Sequence, residues 1–180
     1  MQQSFVRGAA SVLFALALCL ATGFAQIERL TLAQMVAKCD GCVSGRIVSR
    51  TVERVDHPDD GPELYFTTLR VEGRSLFDGA EVTVPVTFAG GVLQNGEGVW
   101  NSEAPSADDT QLGAEVVVFY KWTDNMGGDV AANALVAAHG GLFRIMRTRK
   151  QTLVLGRGAG YAIDGNVKLG ELEREVAKLR

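Results

Sequence analysis

Histidine, cysteine, proline and aromatic residues are all scarce. The 180-residue chain has two histidines, three cysteines, four prolines and 7% aromatics. Two histidines, His57 and His139, sit far apart and in no ligand spacing, so a zinc site would have to join them to the lone Cys39-x-x-Cys42 pair without a second paired motif. No G-x-S-x-G occurs, which removes support for a serine hydrolase. Gly156-Arg157-Gly158-Ala159-Gly160 has the wrong glycine spacing for a dinucleotide loop, and Tyr161 to Gly165 does not open a helix after it. Asp108, Asp109, Asp124 and Asp129 lie in loops at spacings unlike an EF-hand. Basic charge is also lacking: 18 Lys and Arg stand against 21 Asp and Glu. That balance argues against nucleic-acid binding driven by phosphate neutralisation. No catalytic set, cofactor motif or metal centre emerges.

What is present begins with the first 25 residues. Arg7 is the only charged side chain there, and Ala9 to Leu20 is an unbroken small or apolar run. Gly23 and Ala25 place small residues at alternate positions before a cleavage point. The segment 1–25 reads as a signal peptide cut after Ala25. The alternative is a retained anchor, but the run is shorter than the roughly 20 apolar residues a spanning helix needs. Cys19 follows the bulky Leu18, which speaks against lipidation. The expected product is secreted or periplasmic, with no stable membrane insertion after cleavage. Removing residues 1–25 leaves 17 basic against 21 acidic residues, a mildly acidic chain.

Residues 26–180 read as one domain, long enough for a single core. Thr31 and Gln34 form a capping-box pattern, and Leu30 with Met35 a hydrophobic staple. Leu32, Met35, Val36 and Cys39 share one face of the short helix that follows, which Asp40-Gly41 is expected to end. Strands are expected over Val43–Val55, with Gly45 as a bulge, and over Leu64–Glu72. Glu81–Phe88 alternates cleanly, and Pro85 marks it as an edge or bulged strand. Gly90–Leu112 reads as an extended loop carrying Trp100. Glu115–Trp122 is a near-continuous apolar strand of the kind found at the centre of a sheet. Ala134–Ala138, Leu142–Arg147 and Thr152–Leu155 follow as short strands, and 167–180 as an amphipathic helix. Many short strands between two helices predict a mainly β fold, a small closed OB-like antiparallel barrel. Closure removes exposed strand edges; a sandwich is the alternative.

In an oxidising compartment Cys39 and Cys42 are expected to pair as a local staple. The sharper alternative is a thiol-disulfide oxidoreductase. The helix precedes the motif, however, so Cys39 lies at the negative end of its dipole, opposite to a reactive thiolate. Arg144, Arg147, Arg149, Lys150 and Arg157 form a local basic cluster. With Trp100, the arginines are the candidate contact residues for an envelope or extracellular protein partner.

Several segments resemble a group of exported bacterial proteins of unassigned function. Cys39 to Val48 is similar to their opening strand, S-D-x-I-V-x-G-x-V. Leu64-Tyr65-Phe66-Thr67 resembles their I-Y-T strand, Gly90-Gly91-Val92 their G-G-x-V loop, and Pro105 and then Gly113 to Phe119 their P-x-F-x-x-G-E-x-V-V-L-F-L segment. Gly140 to Ile145 is similar to their Q-G-x-F-x-V strand. The resemblance implies an exported OB-like barrel and brings no catalytic residues; the cysteine pair departs from the pattern. A fainter likeness reaches the netrin-like barrels of metalloproteinase inhibitors, but the expected mature start, Gln26, is not the cysteine those inhibitors use to reach zinc. The reading that follows is a non-enzymatic binding or structural module, with the oxidoreductase and the inhibitor-like protein as alternatives.

Overall fold

The computed structural model describes residues 28–180, so the expected signal peptide lies outside the described residues. Helix α1 (Leu32–Lys38) starts as its sequence dictates. Thr31 Oγ1 accepts from the Gln34 amide at 3.3 Å, and Gln34 Oε1 accepts from the Thr31 amide at 2.9 Å. Leu30 and Met35 are both buried beneath it. Its end differs from expectation. Cys39 leaves the helix in an extended conformation (φ −88°, ψ 151°), with no left-handed residue. Gly41 leaves room for Tyr120: a Cβ there would lie 2.3 Å from the end of the ring, which would have to turn aside.

Five strands close a barrel. They are β1 (Gly41–His57), β2 (Gly61–Ser75), β3 (Glu81–Ala89), β6 (Glu115–Thr123) and β7 (Ala132–Leu135). Between β3 and β6 lie the two-residue strands β4 (Gly91–Val92) and β5 (Gly98–Val99). The order is β1-β2-β3-β7-β6, and Gly41 to Arg46 of β1 pair back onto Tyr120 to Glu115 of β6. The β3–β7 contact is one parallel bridge, Thr87 to Ala134. Most of β3 is therefore an edge, where Pro85 costs no ladder bond. The barrel interior holds Val43, Ile47, Leu69, Val71, Val86, Val116, Val118 and Leu142.

The bulge in β1 is not at Gly45. Register shifts between Ile47 and Ser49, leaving Val48 as the extra residue. Gly45 instead lies opposite Gly73, where β1 and β2 approach closely. A Cβ on Gly45 would sit 2.3 Å from the Glu72 carbonyl oxygen, and one on Gly73 2.1 Å from that of Ser44.

A second apolar layer covers one side of the barrel. Strands β8 (Leu142–Arg147), β9 (Thr152–Val154) and β10 (Val167–Lys168) extend the sheet from β6, and α2 (Leu169–Leu179) packs beside α1. Residues 136–138 are not the strand end expected there; Ala138–Gly141 is a 3-10 turn. Met35, Val36, Cys42, Val117, Phe119, Phe143, Leu172 and Val176 form the outer cluster. Strand β6 is buried on both faces, which is why residues 116–119 are apolar without alternation. Among the described residues, no helix is long and apolar enough to cross a membrane.

Candidate functional site at Trp100

Trp100 is 82% exposed, the most exposed large apolar side chain among the described residues. Its backbone is nonetheless tied down. The expected long loop folds back as the β4–β5 hairpin, with Gly91 opposite Val99. Thr67 Oγ1, fully buried in β2, donates to the Gly90 carbonyl at 2.6 Å, and the Gly90 amide donates to the Tyr65 carbonyl at 2.7 Å. Beyond Trp100, Asn101 Nδ2 donates to the Ala89 carbonyl at 3.1 Å, and its Oδ1 accepts from the Glu103 amide at 2.9 Å. A large indole is thus held out in solvent by a fastened backbone.

The indole lines two recesses. The larger, about 380 Å³, is lined by Glu63, Leu64, Tyr65, Val99, Trp100 and Met126, among others. The smaller, about 70 Å³, lies against Arg50, Phe88, Val92 and Pro105. Two segments beside the larger cleft are tied together by His57, which is not the solvated side chain its loop position suggests. His57 Nδ1 accepts from the amides of Asp59 (3.3 Å) and Asp60 (3.1 Å), so Nε2 carries the proton and donates to Asp129 Oδ2 at 3.2 Å. Asp60 Oδ2 accepts from the Gly128 amide at 2.6 Å. These bonds join the β1–β2 turn to the 124–131 loop. Glu63 and Asp129 beside it have left-handed backbones (φ 66° and 58°), strain that the surrounding bonds hold in place. Asp56 accepts from the Glu63 amide and from Arg54, and both bonds hold its carboxyl below the usual range.

The expected basic partners of Trp100 lie elsewhere. Arg157 is a structural cation: Nη2 meets Asp109 at 2.9 Å, Nε donates to the Leu142 carbonyl at 2.9 Å, and the guanidinium lies 5.9 Å from the Phe143 ring centre. Arg144 reaches the same Asp109 at 3.8 Å. Arg147 pairs with Glu115, which Arg46 also meets at 3.4 Å. Arg149 and Lys150 are exposed in the turn after β8. None of these residues lines either Trp100 recess; Arg147 belongs to a separate mixed-charge groove with Arg46, Arg74 and Glu173. Three of these cations, Arg144, Arg147 and Arg157, meet Asp109 or Glu115, acids brought in by the fold from other segments.

Cys39 and Cys42 are free thiols, and the expected disulfide is not formed. Cys39 Sγ donates to the Val36 carbonyl at 3.5 Å, and Cys42 packs in the outer cluster. Hydrogen bonds brace the motif instead. The Asp40 amide donates to the Tyr120 carbonyl at 2.9 Å, and Asp40 Oδ2 accepts from the Trp122 amide at 2.7 Å. Burial pushes the Cys39 thiol up to about 11, and raises Cys42 further from ionisation. Both groups stay protonated near neutrality, the reverse of what a redox dithiol needs. Among the described residues, no three His, Cys, Asp or Glu side chains are grouped to hold a metal ion. His139 serves a different bond: Nδ1 donates to the Glu103 carbonyl at 3.2 Å, and Nε2 accepts from the Tyr161 hydroxyl at 2.9 Å.

Sequence reasoning missed Glu63, Leu64, Tyr65 and Met126 as parts of the cleft, because their segments meet only through barrel closure. One signal was readable: from Ser75 to Tyr120 the chain contains no Lys, Arg or His. No protein-family model, curated protein or solved structure matches the chain.

Proposed function

We propose that the protein is an exported, non-enzymatic binding module of the cell envelope or extracellular space, and that it meets its partner at Trp100. The observation that carries this reading is an indole 82% exposed on an anchored backbone, beside a cleft of about 380 Å³. Fixing an aromatic side chain in solvent costs hydrophobic free energy unless something covers it. Position supports the same reading. In five-stranded Greek-key barrels, ligands bind across the β2–β3 face and the loops between the first and second and between the fourth and fifth strands. The corresponding segments here are 58–60 and 124–131, and the cleft takes Glu63 and Leu64 from just after the first and Met126 and Gly127 from within the second. The raised thiols give no such support to redox chemistry.

Affinity capture from envelope extracts tests the proposal. The wild-type mature chain should retain a partner that Trp100→Ala loses, and the variant should melt within about 0.5 kcal/mol of wild type, as an exposed substitution does. Identical captured material from both proteins refutes Trp100 as the contact.

A further inference from the structure

Resting on that reading, we infer that the Trp100 cleft receives a basic, extended polypeptide segment, with an arginine or lysine side chain lying across the indole. The argument is charge complementarity around an aromatic recess. The lining has one charged side chain, Glu63, and no Lys or Arg. The segments that supply residues 63, 99–102 and 126–127 of the lining, 57–63, 93–105 and 124–130, carry six further carboxylates beside it and again no Lys or Arg. Arg54, the cation beside Glu63, is shared between Asp56 at 3.1 Å and Glu63 at 3.7 Å. Arg50 lines the smaller recess and not the larger. The larger cleft therefore presents a negative rim, and its field favours a cation and repels phosphate.

The lining chooses among cations. A guanidinium or ammonium over an indole face gains a cation–π contact, strongest for tryptophan among aromatic residues. Its methylene stem needs apolar cover, which Leu64, Val99 and Met126 provide. Glu63 is the acidic side chain of the lining and so the one to receive the charged head. A helix with side chains is about 10–12 Å across and does not seat in a recess of about 380 Å³, whereas one or two side chains of an extended strand fill it. The cleft is open rather than enclosed, as suits a segment of a longer chain over a small free cation.

The test uses the mature chain carrying Trp122→Phe, so that emission reports Trp100 alone. The probes are a capped hexapeptide of alternating arginine and leucine, its lysine, glutamine and glutamate counterparts, and spermidine. The arginine and lysine peptides should change the emission saturably. Their affinity should fall about tenfold in Glu63→Gln, and about as much between roughly 50 and 500 mM salt. Titration calorimetry should show their binding lost in Trp100→Ala. Equal binding of the glutamine or glutamate peptide overturns the charge assignment, and spermidine binding as tightly as the peptides overturns the polypeptide assignment. If every probe fails while capture still depends on Trp100, this inference falls and the binding reading stands. If the arginine peptide binds but capture ignores Trp100→Ala, the failure belongs to that reading.

Discussion

Burial, not pairing, governs the two thiols. Cys39 is half-buried at the end of α1 and Cys42 is fully enclosed under both helices. With its thiol up at about 11, Cys39 has about 100-fold less thiolate at pH 8 than a cysteine at the ordinary value of 9. Maleimide labelling of the reduced folded protein should show that deficit, with the rate climbing as pH approaches 11, and Cys42 should react only on unfolding. Labelling of Cys39 at the rate of an unfolded control at pH 8 would contradict the assignment. The same shift carries a stability consequence. The unfolded thiol ionises near 9 and the folded one near 11, so the contribution is intact below pH 9 and drains away as pH rises through 11. At this scale the sequence was half legible. The Cys39-x-x-Cys42 spacing is visible to anyone, and the helix preceding it already points away from a reactive thiolate. That Asp40 fastens Trp122 and that Gly41 makes room for Tyr120 depends on β6, some 80 positions away along the chain.

Elements were legible where one periodicity ruled them and obscure where tertiary contacts did. Thr31 and Gln34 announce α1, and residues 116–119 announce a strand buried on both faces. Strands β4 and β5 have two residues each, too few to show any alternation, so the hairpin that lifts Trp100 was invisible. Gly45 was legible as special but not as the partner of Gly73, since close approach takes two strands. The β1–β2 turn is the case with functional weight. Its His57 ring is the shared acceptor for two turn amides and the donor to Asp129, so it couples two loops that share no sequence neighbourhood. Replacing His57 with Ala deletes three hydrogen bonds, each worth about 0.5–1.5 kcal/mol net. Because the turn is partly solvated, we expect a loss of about 1–2 kcal/mol in global stability. The sharper effect should be local. Amide exchange should accelerate in 57–63 and 124–130 together and leave the β4–β5 hairpin unchanged. Acceleration of the turn alone would show that His57 does not couple the two segments beside the cleft.

The whole molecule is two apolar layers that share one strand. Val116 and Val118 of β6 face the barrel interior, while Val117 and Phe119 face the helices. Phe119 meets Phe143 edge-on at 6.2 Å, and α2 closes the layer with Leu172 and Val176. The expected strand content and terminal helices made a closed barrel readable, but the strand pair that closes it was not. The pairing of β1 with β6 spans about 70 residues, and no local pattern encodes it. Sharing β6 has a cooperative consequence. Loosening the outer layer uncovers one face of the strand that closes the barrel, so damage there should reach the Trp100 end of the molecule. Leu172→Ala removes a side chain only 1% exposed and should cost about 2–5 kcal/mol, as buried leucine truncations do. Trp122 lies on barrel strand β6, half-exposed, with Nε1 bonded to Asp124 and outside the outer cluster, so it is the tryptophan whose emission follows the barrel. In urea, the transitions followed by far-ultraviolet circular dichroism and by tryptophan emission should coincide in the wild type, and Leu172→Ala should move both to lower urea by the same amount. An early loss of dichroism in the variant, with the tryptophan midpoint unmoved, would mean that the helices peel away by themselves and that β6 does not bind the two layers into one folding unit.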